Sequence, residues 1–421
     1  MFKKLIFGLC LWLFATTLSF GANLQDGYSA YIKGDYKTAF TNFEDLASKG
    51  NKGAQYNLGV MYYNGQGVRQ DYKKAIEWYE KSAAQGDAGA QFFLGLMYSS
   101  GNGVEQDYKK AFEWYEKAAF QGLAVAQYSL GQLYRHGNGV TQDYEKAIEW
   151  FKKAAAQGDI TAQLNLRAMY RNGQGVEKAA AEGDEYAQYS LGNMYYNGQG
   201  VKQDYKKAFE WYEKSANQGY KDAQFNLAKM YYDGEEVTQD YKKAFEWFEK
   251  AAAQGDALSQ YRLADMYKDG KGVKQDYKKA IEWYEKAANP ENFFTLDFLV
   301  QFNLGTMYRD GKGVKQDYKK AFEWFEKSAT KEYSFEAQFN LGSMYYNGQG
   351  VRQDYKKAFE WTEKSASKKY PPALVVLGAM YEDGRGVKQD YKKAKEWYGK
   401  SCDNGLQIGC DYYKILNQQG Y

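Results

Sequence analysis

Few side chains in this chain are able to do covalent chemistry. Its 421 residues include one histidine, His136, and three cysteines, Cys10, Cys402 and Cys410. A single imidazole excludes the usual histidine-rich zinc enzyme and any cysteine–histidine nucleophile pair. His136 stands in a loop position held elsewhere by Asn or Ser, which makes it an incidental surface residue. Serine followed three residues later by lysine occurs at Ser328/Lys331 and Ser365/Lys368. That spacing belongs to serine acyl enzymes, but no Ser-Asp-Asn or Lys-Thr-Gly accompanies it, so the set is incomplete. Gly-x-Gly loops such as Gly65-Gln66-Gly67 lack a third glycine and a preceding strand, so they do not read as phosphate cradles. Asp-Gly pairs such as Asp233-Gly234 and Asp269-Gly270 lack the alternating ligands of a calcium loop. No catalytic set, metal site or cofactor site is expected, and the enzyme question stays open.

The N-terminus reads as an export signal over residues 1–21. Lys3 and Lys4 precede a nearly unbroken apolar run from Leu5 to Leu18, and Ser19 and Gly21 are the small residues a signal peptidase reads. An uncleaved anchor is the alternative, although the run is short for a spanning helix. Cys10 lies inside the run without a lipobox. The remaining cysteines, Cys402 and Cys410, form an even pair, which in an exported chain reads as a disulfide. Lys and Arg number 56 against 53 Asp and Glu, too even for a dedicated nucleic-acid binder.

The elements that carry these residues are repeats. Trp78, Trp114, Trp150, Trp211, Trp247, Trp283, Trp324, Trp361 and Trp397 follow one another at 36, 36, 61, 36, 36, 41, 37 and 36 residues. The first full unit occupies 54–89. Its helix A packs through Tyr56, Leu58, Gly59, Met61 and Tyr62, and the glycines of Asn64-Gly65-Gln66-Gly67-Val68 end it. Asp71 caps helix B, in which Tyr72, Ala75, Ile76 and Tyr79 recur at helical spacing. One such pair cannot bury both apolar faces, whereas stacked pairs can, so the fold class is an all-α solenoid of helix–loop–helix repeats. Three prolines against 43 glycines suit helices punctuated by glycine turns. Residues 22–53 form an N-terminal capping half-repeat, 54–408 ten repeats, and 409–421 a C-terminal capping helix. The unit at 162–186 runs from Val176 straight to Glu177-Lys178-Ala179-Ala180 and lacks most of helix B. The unit starting at Ser259 gains Asn289-Pro290-Glu291-Asn292-Phe293-Phe294.

The pattern A-x-x-x-L-G-x-x-Y-x-x-G-x-G-V-x-x-D-x-x-K-A-x-x-W-x-x-K-A-A resembles the Sel-like repeat family, relatives of the tetratricopeptide repeat. The resemblance implies a right-handed superhelix, helix A concave and helix B convex, in a family made up mostly of protein-binding adaptors with cell-envelope and host-interaction roles. The C-x7-C spacing of Cys402 and Cys410 resembles the secreted cysteine-rich members, described as penicillin-binding proteins or β-lactamases. A hydrolase of that type is therefore the alternative to an exported interaction scaffold. Here the pair occurs in the last repeat only.

Between near-identical units, one helix A position varies freely: Val60, Leu96, Gln132, Ala168, Asn193, Lys229, Asp265, Thr306, Ser343 and Ala379. It shares a face with Tyr56 and Tyr63. That face is either a concave partner-binding groove or merely unconstrained. Asn57, Asn165, Asn226, Asn303 and Asn340 border it, and a ladder of amides would suit an extended peptide backbone. The expected state is a monomer, periplasmic or secreted, with a protein or peptide partner, no nucleic acid and no membrane span after cleavage of the signal.

The 162–186 unit has lost three buried aromatics, which at about 150–250 Å² each leaves its neighbour coupling the weakest in the array. A gap is expected on the helix B side near Glu177 to Gly183, between a block ending near Gly175 and one starting near Ala187. Limited proteolysis is predicted to cut there first. Cleavage elsewhere, with amide exchange at Lys178 as slow as in full repeats, would show that the neighbours have closed the gap.

Overall fold

A computed structural model describes residues 22–288 and 297–421. The export segment and the insertion at 289–294 lie outside the described residues. Every regular element among the described residues is an α-helix, and there are 23. They follow in pairs: helix A Lys52–Asn64 with helix B Tyr72–Ala84, then Ala88–Ser100 with Tyr108–Phe120, and so on to Pro371–Asp383 with Tyr391–Asp403. Ala22–Ile32 and Tyr36–Ser48 precede the pairs, and Gln407–Gln418 closes them. The chain divides into two compact units, Met1–Met194 and Tyr195–Tyr421.

The loop between helices accounts for its own backbone groups, so its sequence repeats. Gly65 ends helix A with φ 69°, and its N–H donates to the Met61 carbonyl. The Gln70 side-chain amide donates to the Tyr63 carbonyl at 2.7 Å, and the Asp71 N–H to the Tyr62 carbonyl at 2.9 Å. The Asp71 carboxylate accepts from the Lys74 N–H at 3.1 Å and caps helix B. These contacts satisfy carbonyls and amides that helix ends leave bare. Gly67 is required twice over, by φ 71° and by space, since a Cβ there would lie 2.3 Å from the Tyr36 carbonyl oxygen of the preceding helix B. Two non-glycine residues take positive φ, Glu236 at 57° and Lys369 at 61°. They occupy the positions of Gly67 and Gly86, so the fold imposes the conformation and these two units tolerate it.

Within a pair, the helices meet through a glycine. A Cβ on Gly59 would stand 2.5 Å from the Tyr79 ring, and one on Gly95 2.6 Å from the Tyr115 ring. Tyr79 and Tyr115 are buried there, 0% and 4% exposed. In the truncated unit the same position is Arg167. Its helix B is reduced to Val176–Ala181, so no ring occupies the contact. Arg167 instead lies 5.7 Å from the ring of Tyr186, which stands where the first units have Gly53 and Gly89. Two oversized side chains thus fill part of the space left by the missing turns.

The filling is partial. Ile160 and Leu164 on that helix A are 70% and 58% exposed, whereas Tyr56, at the Leu164 position, is 6% exposed. A cleft of about 470 Å³ lies between the preceding helix B, Tyr144–Ala156, and the short helix, lined by Glu145, Ile148, Lys152, Gly175, Lys178 and Glu182 among others. Lys178 bridges it to Glu145, and Lys152 pairs with Asp184 at 2.9 Å.

Gly95→Leu is expected to destabilise its unit by about 1–3 kcal/mol or more, because the leucine overpacks against a buried ring. Arg167→Ala removes only an exposed cation–π contact and should cost about 1 kcal/mol or less. Urea melts of the two variants compare them directly. Equal losses would mean that the position is not where the helices close.

Candidate binding face

The residues singled out on helix A do not share one environment. Tyr56, Asn57 and Val60 are buried, 6%, 2% and 2% exposed. This corrects the expectation that they line an open face. Phe93 of the next unit packs with Tyr56 and Val60, stacked on Tyr79 at 5.1 Å and lying 6.0 Å from Tyr56 and 5.9 Å from Tyr63, while Asn57 meets Tyr28 of the preceding helix. Tyr63 is half-buried, as are Asn165, Asn226, Asn303 and Asn340. The varying position is half-buried in every unit after the first, from Leu96 to Ala379.

The amides of Asn57, Asn165 and Asn340 are engaged within the fold. Asn57, Asn165 and Asn340 each donate to the carbonyl four residues back, Gly53, Thr161 and Glu336, at 2.7–2.8 Å. Asn57 also donates to the Tyr28 hydroxyl at 2.9 Å. The Asn165 carbonyl accepts from Arg135 at 2.8 Å, and that of Asn340 from Arg309. They link successive helices A, a role their spacing did not reveal.

In the C-terminal unit this face becomes polar. Lys229 contacts Asp233 at 3.1 Å and Glu235 at 3.4 Å, and Tyr196 donates to Glu235 at 2.8 Å. Burial acts to lower the Lys229 pKa, but the hydrogen bonds to Asp233 and Tyr196 outweigh it and hold the ammonium above its ordinary value. One unit on, Asp265 accepts from Tyr284 at 2.5 Å and pairs with Lys268 at 2.8 Å. Burial, and then the Asp265 charge, push the Tyr284 and Tyr261 phenols up.

The serine–lysine pairs are structural. Ser328 and Ser365 are buried, and their hydroxyls donate to the Phe298 and Phe335 carbonyls at 2.8 and 2.7 Å. Ser82 donates equivalently to Lys52. Lys331 turns to Asp297 at 3.6 Å and Lys368 to Glu332 at 2.6 Å. No nucleophile is assembled in either pair, and the hydrolase reading gains no support. His136 sits at the C-terminal end of helix Ala124–His136. No group of three or more potential metal-ligating side chains occurs among the described residues.

Cys402 and Cys410 are joined, with Cα atoms 4.6 Å apart. Their positions elsewhere are an alanine carbonyl and a glutamine that donates to it eight residues back, as Gln127 does to Ala119 at 3.2 Å. That glutamine also accepts from a second, at the end of its own helix B: Gln157 donates to Gln127 at 2.8 Å and to the Gly122 carbonyl at 2.9 Å. The chain of amides ties a helix B end to the one before wherever both glutamines are present, as at 55/85, 91/121, 127/157 and 224/254. Its signal in the sequence is the spacing of 30 between two glutamines, which recurs in five units.

A helix-pair repeat protein with no assembled catalytic group among the described residues is the class these features define. The Sel1 repeat model matches residues 53–87, 88–123, 124–159, 185–220, 221–256, 257–289, 299–333, 335–370 and 371–406. The chain belongs to the Sel1 repeat family. The truncated unit falls between the third and fourth matches. The structure of c5321, a protective antigen present in uropathogenic Escherichia coli strains and displaying an SLR fold, is 38% identical, with a TM-score of 0.57 over 94% of this chain and 87% of that one. A Sel1 repeat protein from Oxalobacter formigenes is 28% identical, with a TM-score of 0.46 over 81% of this chain and 90% of that one. The cysteine-rich protein B of Helicobacter pylori is 27% identical over 33% of this chain and 96% of its own, with a TM-score of 0.26. No curated protein matches the chain. Sel1 repeat proteins act as protein–protein interaction scaffolds.

In the unit starting at Ala337 the second glutamine is replaced by Lys368, and the buried Gln338 carbonyl oxygen has no hydrogen-bond partner. Lys369 beside it holds a glycine's φ. The double substitution Lys368→Gln, Lys369→Gly restores the common pair. It is expected to stabilise the protein by about 1–3 kcal/mol, from one regained hydrogen bond and one relieved left-handed residue. A lower urea midpoint for the double variant would contradict this.

Proposed function

We propose that the protein is an exported scaffold of the cell envelope or exterior that binds a protein partner along its helix A face. One observation carries this reading. Residues that build the fold hardly change between units, while the half-buried position represented by Leu96, Lys229, Thr306 and Ser343 changes chemical type almost every time. A face left undetermined by the fold is where recognition can be written without cost to stability. Asn165, Asn226, Asn303 and Asn340 border it, and the side chains of Asn165 and Asn340 hold its edge in place rather than reach for a peptide backbone. The N-terminal signal supports export, as does the cysteine pair. The E. coli relative's description as a protective antigen points the same way. Among the described residues no helix is long and apolar enough to cross a membrane.

A photo-crosslinking residue at Thr306 or Ser343 is expected to capture the same partner, while one at Lys327 on helix B captures none. Equal yields from both faces would sink the assignment. Thiol titration of the protein recovered from its producing cells tests export separately, and two free thiols would contradict passage through an oxidising compartment. Hydrolysis of nitrocefin by the purified protein would revive the β-lactamase alternative.

A further inference from the structure

In each complete unit, the residue two places before the helix B cap lies at the outer edge of the loop between the helices. In the N-terminal unit this residue is Arg69, Glu105 and Thr141 in succession. In the last four repeats it is Lys274, Lys315, Arg352 and Lys388, all exposed. None of these four makes an ion pair among the described residues. Two lysines open each following helix B, at 278–279, 319–320, 356–357 and 392–393. The second of each pair lies over a tyrosine of its own helix A, 5.0–5.3 Å from the ring centroid, and the first is exposed. The carboxylates nearby are largely committed. Asp276, Asp317, Asp354 and Asp390 accept from backbone N–H groups as helix caps. Residues 268–279 and 309–320 each carry five cations against two carboxylates, 346–357 three against one and 382–393 four against three, whereas 99–110 carry two of each and 63–74 three against one. The last four repeats of a near-neutral chain therefore each present a net positive loop edge, strongest at 268–279 and 309–320.

We propose that this edge binds a linear acidic polysaccharide. A row of regularly repeated, unpaired cations suits a polymer that presents anionic groups at regular intervals. Two other polyanionic partners fit less well. Insertion into a bilayer needs exposed apolar side chains, and the loop valines Val273, Val314, Val351 and Val387 pack inward against the core clusters. Single-stranded nucleic acid needs free aromatic faces. The loop-edge tyrosines Tyr277, Tyr318, Tyr355 and Tyr391 have their hydroxyls held by the loop glutamines at 2.9–3.1 Å, and Tyr355 and Tyr391 are packed on Tyr346 and Tyr421. The surface is distinct from the helix A face and does not depend on it.

The test uses the full mature chain and fluorescently labelled alginate oligosaccharides, with affinity followed by anisotropy across a salt series. The edge variant is Lys274→Gln, Lys315→Gln, Arg352→Gln, Lys388→Gln. The control, Lys286→Gln, Lys327→Gln, Lys364→Gln, Lys400→Gln, removes the same charge from the far ends of the same helices. The edge variant should lose at least tenfold in affinity, and its log–log salt slope should fall by about 3, on the scale of roughly 0.7–0.9 per neutralised contact. The control should stay within twofold of wild type. Equal losses in both variants, no alginate binding at physiological salt, or tighter binding to duplex DNA or to phosphatidylglycerol vesicles than to alginate would each overturn the proposal. Far-ultraviolet circular dichroism confirms that both variants are folded, and surface lysines outside the core give no reason for them not to be.

Discussion

Helix A and helix B of one repeat approach until a glycine Cα rests on an aromatic ring, and the rest of the repeat is arranged around that contact. The ring needs a flat floor without a side chain, so Gly59, Gly95 and Gly131 lie under Tyr79, Tyr115 and Phe151. Ala228 and Ala264 show the limit of tolerance, each still fully buried against Phe248 or Tyr284. In the unit starting at Ala337, Gly342 faces Thr362 instead of a ring, and the contact also explains the grosser exception in the truncated unit. An arginine occupies the position only where the opposing ring has been deleted, so the substitution and the deletion are one event in structural terms.

A second constraint acts between repeats. A stack of helix pairs has no long-range contacts to correct small errors in position, so each step must be set locally. Where they occur, the paired glutamines do this at one end of helix B, and the second loop glycine does it at the other, pressed against the backbone of the preceding helix B. In the last repeat the glycine persists as Gly386, but Leu374 and Asn404 replace the glutamine pair. At the C-terminal end, Cys402 and Cys410 span the two positions that the glutamine-to-carbonyl bond spans elsewhere. A covalent link thus replaces that bond at this position.

How much of this was legible in the sequence depended on whether the physics was local. The period, the glycine stop at Gly65, the Asp71 cap and the apolar set from Leu58 to Tyr62 follow from rules that act within a few residues, and the structure shows each of them. The role of Gln70 was not legible, because a glutamine in a loop reads as solvated filler until its carbonyl partner is known. The glutamine pair, with partners 30 residues apart, was hidden for the same reason. The burial of Tyr56 and Val60 depended on a neighbour in the next unit, Phe93, whose position carries serine, asparagine, arginine or valine in other repeats. Ser328 and Ser365 were suggestive only while the carbonyls they reach were unknown.

The nine repeat tryptophans share one more property. Each lies beneath the ammonium of the lysine three residues on, at 3.7–4.3 Å from the ring centroid, from Lys81 over Trp78 to Lys400 over Trp397. Eight are half-buried, and Trp150 alone is buried, with the Phe120 ring edge-on at 5.4 Å. Nine indoles in almost the same electrostatic setting emit almost the same light. Intrinsic fluorescence of this protein is therefore a tally: its intensity and colour report how many repeats are intact and say little about which ones. A partly melted array and a mixture of whole and melted molecules would look alike to it, and only Trp150, differently housed beside the shortened unit, offers the spectroscopist an address.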